Sequence, residues 1–217
     1  MEKKYPSVTL PLMEAIEAAS AVLPHVSKDD VTPTLVHANL QDDRLIGTDR
    51  YTVGTFRLSS SVDGEFMVPR GALEWLARVN PKTLVAHYQG SPMSGYQVRI
   101  TGPKPGPSGP ALVDEAVQVE VLYDGKPERM QRFKPFVGSF PDVANRLLDK
   151  HESAVEVSAI KLNPEFVERV TTYARKWHRR EPVKFLVGKS DNPKRPGVVR
   201  VSIGKFDGLI QPNLLGE

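Results

Sequence analysis

The sequence predicts an α+β fold made of about three units, each a helix packed on antiparallel strands. Apolar residues recur at helical spacing in three places, within 11–26, 69–79 and 163–177. Strand-like runs rich in Val, Ile, Thr and aromatic residues follow each of them. A proline also stands where each helix would begin: Pro11, Pro69 and Pro164. With 217 residues the chain suits one or two domains and is long enough to bury a core. At 40% hydrophobic and 25% charged, it is unlike a disordered chain.

In the first unit, "SVTLP" reads as a strand, and Leu12, Ile16, Ala19 and Leu23 share one helical face. Pro24 limits the regular helix. "TLVHANL", "RLIGTD" and "YTVGTFRLSS" read as strands, with Asp42-Asp43 as the turn between the first two. The second unit opens with the strand "EFMVP" and a helix burying Leu73, Leu76 and Ala77, which Asn80-Pro81 ends. "TLVAHYQ", "GYQVRITG" and "VQVEVLYDG" are expected as strands. The Pro/Gly-rich "GPKPGPSGPALVDEA" is expected as a loop. A boundary is placed near Lys150, giving a full domain at 1–150 and a half-domain at 151–217. The third unit starts at "AVEVSAIKL". Asn163 suits an N-cap, Glu165 complements the helix dipole, and Phe166, Val170, Tyr173 and Trp177 form the buried stripe. "VKFLVG", "GVVRVSIG" and "DGLIQPNLL" complete it as strands.

Charge is informative by its place. The net charge is only +3. With Trp177 inward, Arg169, Arg175, Lys176, Arg179 and Arg180 fall on the flanks and far side of the third helix. Two readings stay open for that face: a solvated helix end whose dipole favours cations, or contact with a polyanion. The second helix adds Arg70, Arg78 and Lys82, whereas the first carries Glu14 and Glu17 and no cation. No amides cluster beside these cations, which favours phosphate contact over sequence readout.

Enzyme chemistry finds little support. No phosphate-cradling loop appears, and the prolines of "GPKPGPSGP" remove amide donors. His25, His37, His87, His151 and His178 are scattered and read as surface or strand residues, not metal ligands. Nothing assembles a nucleophile, a base and an oxyanion site. No catalytic residue, metal or cofactor is expected. Cysteine is absent, which fits a reducing cytoplasm. The opening "MEKKYPSVTL" has no apolar h-region and no run reaches the roughly 20 apolar residues of a membrane span, so neither secretion nor membrane association is expected.

The run "AVLPHVSKDDVTPTLVHANLQDDRLIGTDRYTVGTFRL" resembles the opening of the middle domain of the bacterial DNA polymerase III beta sliding clamp family, with "PTL" at 33–35 and "TDRYTV" at 48–53. "FMVPRGALEWLARV" is similar to the strand-to-helix segment that opens a half-domain there. "GSFPDVANRLL" resembles the family's exit segment, "IKLNPEFVERV" its last-domain helix start, and "DGLIQPNLLG" its C-terminal strand. Family chains have three domains of two units each, so this chain resembles one full domain and the last half of another.

The resemblance implies DNA-clamp-like repeats and a non-enzymatic processivity factor. It would hold double-stranded DNA through basic helices and tether a DNA polymerase, with the clamp loader as a further partner, through short linear peptides. The odd half-domain needs a sheet partner, which a homo-oligomer or an unusual internal packing would supply; a homo-oligomer is the expectation. Carried over by position, the peptide pocket comprises Thr48, Tyr51, Thr52 and Val53 on one side and Ile210, Pro212, Leu214 and Leu215 on the other. Tyr51 and Val53 are expected on one strand face, and Asp49 as a turn-capping acid. Thr52 and Val53 replace the family's Arg and Leu, and Gln211 its Met. The alternative is a clamp-fold module that binds replication proteins without encircling DNA.

Overall fold

Units that begin with a strand exchange it with a neighbour. In the computed structural model, which describes residues 5–87, 93–103, 115–136, 138–142, 160–190 and 197–212, the first unit comprises β1 (Ser7–Pro11), α1 (Leu12–Val22), β2 (His37–Gln41), β3 (Arg44–Thr48) and β4 (Thr52–Arg57). The second comprises β5 (Glu65–Pro69), α2 (Arg70–Ala77), α3 (Pro81–His87), β6 (Tyr96–Thr101), β7 (Val117–Tyr123) and β8 (Lys126–Phe133). The third contributes α4 (Pro164–Trp177), β9 (Lys184–Val187), β10 (Val199–Ile203) and β11 (Phe206–Ile210).

β1 pairs with β6 of the second unit, Leu10 opposite Val98. β5 returns to β2 of the first, Leu40 opposite Phe66. The result is a four-stranded sheet, β1-β6-β7-β8, and a seven-stranded sheet, β5-β2-β3-β4-β11-β10-β9. All pairings are antiparallel. The third unit thus extends the first unit's sheet across its β4 edge.

α1 is helical because small and straight-chain residues dominate "LMEAIEAASAV", and it buries Leu12, Ala15, Ile16, Ala19 and Val22. Pro24 follows the last turn, and the chain tightens into a 3-10 turn over Leu23–His25. α4 starts as expected: the Asn163 side chain accepts from the Glu165 amide at 3.0 Å, and Pro164 takes the first helical position. Its stripe buries Phe166, Val170 and Tyr173 against the main core, each worth on the order of 2 kcal/mol over exposure. Trp177 is partly buried on the same core.

Three segments differ from the sequence expectation. Lys126–Phe133, for which no strand is expected, forms β8 against β7. "TLVAHYQ" is not a strand: Pro81–His87 is helix α3. Asn80-Pro81 ends α2 and also starts this second helix, because the Asn80 side chain accepts from the Lys82 amide at 3.0 Å. "TLVHANL" becomes strand only at His37, since Pro33–Val36 forms a 3-10 turn. The boundary at Lys150 and the run 153–159 lie outside the described residues.

Candidate functional site at the junction of the first and third units

The "TDRY" segment is a turn held by its own acid. Asp49 Oδ1 accepts from the Tyr51 amide at 3.1 Å, the Thr52 amide at 2.8 Å and the Thr52 hydroxyl at 2.9 Å. Thr48 Oγ1 donates to the Thr52 carbonyl at 2.8 Å. Arg50 adopts φ +79°, the left-handed conformation the reversal needs. Asp49 is therefore the capping acid that the sequence suggests.

The other carboxylate oxygen faces the third unit. Arg169 Nη1 donates to Asp49 Oδ2 at 2.5 Å and to Thr52 Oγ1 at 3.1 Å, while Nη2 donates to Glu165 Oε1 at 3.0 Å. Both members of the Asp49–Arg169 pair are largely buried, with side-chain exposures of 13% and 17%. Burial raises the Asp49 pKa, but the Arg169 hydrogen bond and the Thr52 amide outweigh it and hold the carboxyl below its usual value. Arg169 was a candidate phosphate contact. Its guanidinium instead bridges the turn to α4, and its charge is balanced by two carboxylates.

Beneath the turn lies His25, fully buried, with Nδ1 3.0 Å from Thr52 Oγ1. The single Thr52 hydroxyl hydrogen is directed to Asp49, so His25 Nδ1–H is the donor. Burial, reinforced by the Arg169 charge and opposed by Asp49, pushes His25 down to about 4. The expectation that the histidines sit on surfaces or strands fails here. The room for His25 comes from Gly54: a Cβ there would lie 2.4 Å from the imidazole. Gly54 stands in register with Gly47 on β3 and Gly208 on β11, a glycine row across three strands. "LIGT", "TVGT" and "FDGL" carry that signal in the sequence.

The acids of α1 also face the third unit. Glu14 Oε1 accepts from the Ser59 amide at 2.8 Å and from Lys205 Nζ at 2.6 Å. Glu17 Oε1 accepts from the Tyr173 hydroxyl at 2.9 Å and lies 3.1 Å from His178 Nε2. His178 Nδ1 is 2.9 Å from Glu181. Burial lowers the His178 pKa, but the hydrogen bonds and charges of Glu181 and Glu17 outweigh it and raise the ring above its ordinary value. Glu14 and Glu17 thus balance third-unit cations.

The peptide-pocket candidates divide by burial. β4 and β11 pair directly, Val53 opposite Leu209 and Thr52 opposite Ile210, and the Gln211 amide donates to the Tyr51 carbonyl at 3.0 Å. The two segments are thus neighbours. Tyr51 is 61% exposed and stacks on Phe166 of α4 with centroids 6.1 Å apart. Val53 does not share its face. It joins Ile46 and Leu209 in a separate buried cluster, with Phe140 and Val198 packed against it. The left-handed Arg50 swings Tyr51 off the strand alternation. Thr48, Thr52, Ile210 and Pro212 are buried. Leu214 and Leu215 lie outside the described residues.

Tyr51 stands at the lip of a cleft of about 1010 Å³ between the end of α1, the segment Ser27–Leu35, the turn and α4. Leu23, Val26, Leu35, Phe166 and Trp177 supply apolar wall, and Lys28, Arg70 and Lys176 supply cations. Trp177 Nε1 is buried with no hydrogen-bond partner among the described residues. Arg175, Lys176, Arg179 and Arg180 are exposed at the far end of α4, and Arg78 and Lys82 are exposed beyond α2. Among the described residues these six make no ion pair. No metal-ligating cluster of three or more side chains and no helix able to cross a membrane occurs among the described residues.

No family model and no curated protein matches the sequence. Solved structures do match the fold. A DNA polymerase sliding clamp from Pseudomonas aeruginosa aligns with a TM-score of 0.64 at 12% identity, over 96% of this chain and 67% of that one. The beta subunit of DNA polymerase III from Borrelia burgdorferi aligns with a TM-score of 0.60 at 12% identity, over 97% of this chain and 64% of that one. The Thermotoga maritima beta subunit aligns at 0.56 and 12%, over 98% and 65%. The chain has the mixed helix and antiparallel-sheet fold of these clamps and spans about two thirds of their length.

Proposed function

We propose that the chain is a non-enzymatic, clamp-like processivity factor, working as a homo-oligomer. It comprises a full clamp-like domain at 1–150 and a half-domain at 151–217. Arg175, Lys176, Arg179 and Arg180, with Arg78 and Lys82, contact duplex phosphates; the cleft beside Tyr51 takes a short peptide from a DNA polymerase or a clamp loader. The observation that carries this reading is the β4–β11 pairing. It unites the "TDRYTV" turn and the C-terminal strand, far apart in sequence, beneath the basic helix. The sliding clamps named above have the same fold.

Phosphate contact suits these cations because they are exposed and carry no ion pair among the described residues, so they exchange quickly along a duplex. Peptide binding suits the cleft because the exposed Tyr51, stacked on the buried Phe166, forms its lip and an apolar wall its interior.

Fluorescence anisotropy separates the two roles. Reversing Arg175, Arg179 and Arg180 to Glu is expected to weaken duplex binding at least tenfold and leave peptide binding intact. Tyr51→Ala is expected to weaken a polymerase-derived peptide about tenfold and leave duplex binding intact. Undiminished duplex binding in the triple variant rejects the helix face; undiminished peptide binding in the Tyr51 variant rejects the cleft.

A further inference from the structure

The last turn of α4 runs into a histidine set between carboxylates of two different segments. His178 Nε2 lies 3.1 Å from Glu17 Oε1 on α1, and Nδ1 lies 2.9 Å from Glu181 Oε1 just beyond the helix. The Tyr173 hydroxyl stands 3.0 Å from the same Nε2 and donates to the same Glu17 oxygen at 2.9 Å. Packing holds the imidazole there. Its ring centroid is 5.4 Å from that of Tyr173, and a Cβ at Gly204, in the β10–β11 turn, would fall 2.3 Å from His178 Cε1. The charged groups around the ring come from each element packed on it. α1 supplies Glu17, while Glu14, a turn earlier, is held by Lys205 of the β10–β11 turn at 2.6 Å. α4 and the residues after it supply Tyr173, Glu181 and the exposed Arg175, Lys176, Arg179 and Arg180.

Hydrogen counting makes this arrangement depend on one proton. The imidazolium donates from both nitrogens, one to each carboxylate, and Glu17 receives the Tyr173 hydrogen as well. The neutral ring keeps a single N–H. With that hydrogen on Nδ1, Glu181 keeps its donor, but the bare Nε2 and Glu17 are two acceptors competing for the Tyr173 hydrogen. With it on Nε2, the bare Nδ1 faces the Glu181 carboxylate. Either tautomer therefore sets a lone pair against a carboxylate in a partly buried site, where such a contact is costly. Burial lowers the His178 pKa, but Glu181 and Glu17 outweigh it and raise the ring above its ordinary value. Burial and Glu17 push the Tyr173 hydroxyl upward, so it stays protonated while the histidine titrates.

We infer that His178 is a proton-gated latch: protonated, it fastens the end of α4, with its basic side chains, onto α1 of the first unit; neutral, it releases that end. The fastening is complete below the unfolded histidine value of about 6.5 and is lost as pH rises through the higher folded one. The β4–β11 pairing does not involve this proton, so the third unit stays on its sheet and only the last turns of α4 loosen. The latch requires neither the duplex nor the peptide reading, and its test contains neither ligand.

NMR and hydrogen exchange of the full chain test it. The His178 ring is expected to titrate with a midpoint above the ordinary value of about 6.5. Protection factors, which correct for the intrinsic effect of pH on exchange, are expected to fall at least about threefold for the amides of 174–178 between about pH 6 and 8.5, while those of β7 hold. Glu17→Gln replaces the carboxylate with an amide that can donate to a bare Nε2. It is expected to lower the His178 midpoint and to abolish the fall, with the helix end still protected at the higher pH. Circular dichroism confirms that the variant is folded. A merely structural Glu17 would loosen the helix end at every pH and leave the pH dependence in place. A His178 midpoint at or below about 6.5 overturns the latch. So does protection at 174–178 that is constant with pH or falls equally in β7, or a fall that Glu17→Gln leaves unaltered.

Discussion

The outer edges of β4 and β8 hold equivalent positions in two similar units, yet among the described residues only β4 is covered. Their surroundings differ more than their backbones. Around β4, Gly47 and Gly54 let the end of α1 and the 3-10 turn approach closely, and Asp49, Glu14 and Glu17 each meet a cationic or hydroxyl donor of the third unit. Around β8 the side chains from Lys126 to Arg132 are exposed, and four of them are charged. A covered edge here is an edge with a buried polar lock beside it. An uncovered one is kept soluble by charges.

Breaking the lock is expected to make the β4 edge behave like the β8 edge. The largest effect is expected from Asp49→Ala, which leaves Arg169 largely buried beside Glu165 alone and removes three hydrogen bonds from the turn. A loss of about 3 kcal/mol is expected in urea unfolding, with amide exchange accelerated in β11 before β7. Equal protection of β11 in the variant and the wild type would separate the lock from the pairing.

Acid is expected to act nearly as strongly. His25 is neutral in the fold, and its pKa there, about 4, lies below the unfolded value near 6.5. Its contribution is therefore complete above about pH 6.5 and falls as pH drops toward 4, by about 3 kcal/mol in all. Asp49, whose pKa is also depressed, loses its contribution lower still, as pH falls through its folded pKa. His178 acts in the opposite sense. Its raised pKa gives stability that is complete below the unfolded value and lost as pH rises through the folded one. Urea titrations from pH 4 to 7 are expected to show a midpoint that climbs with pH in the wild type and climbs less in His25→Phe. Equal slopes would remove His25 from the lock.

Gly54→Ala is expected to cost about 2 kcal/mol, because the new methyl meets an imidazole that has no free volume to enter. The same substitution at Gly125, in the β7–β8 turn, meets nothing within 4 Å but has φ +77°, so its smaller cost of about 1 kcal/mol comes from backbone strain alone. Thermal unfolding of the two variants sharpens the contrast between the packed edge and the open one. A Gly54 variant as stable as the wild type would contradict the close packing.

Much of this architecture was legible in the chain. The three helices with their buried stripes, the Asp49 cap, the Asn163 cap and the stop at Pro24 all follow from local rules, and the structure shows each of them. α3 was missed because Asn-Pro both stops and starts helices, and "TLVAH" fits either period. Arg169 illustrates a deeper limit. Helical spacing placed it beside four exposed cations, but its partner Asp49 is 120 residues away, and no local pattern reports that pairing. The third-unit partners of Glu14 and Glu17 are equally distant in sequence and equally silent in it. The glycine row was visible in three strands but acquires meaning only once β11 lies beside β4. Val53 and Tyr51 were placed on one face by strict alternation, which the left-handed Arg50 interrupts.

The basic end of α4 is tested most directly by the salt dependence of duplex binding, measured by anisotropy with a labelled DNA between 50 and 200 mM salt, a range over which phosphate contacts are strongly attenuated. The six exposed cations proposed as phosphate contacts give a slope of log K against log salt of about −5, and reversal of Arg175, Arg179 and Arg180 flattens it by about 3 or more. A duplex affinity that does not change with salt, or a slope that the triple reversal leaves unaltered, contradicts a phosphate-binding helix and the clamp-like role built on it.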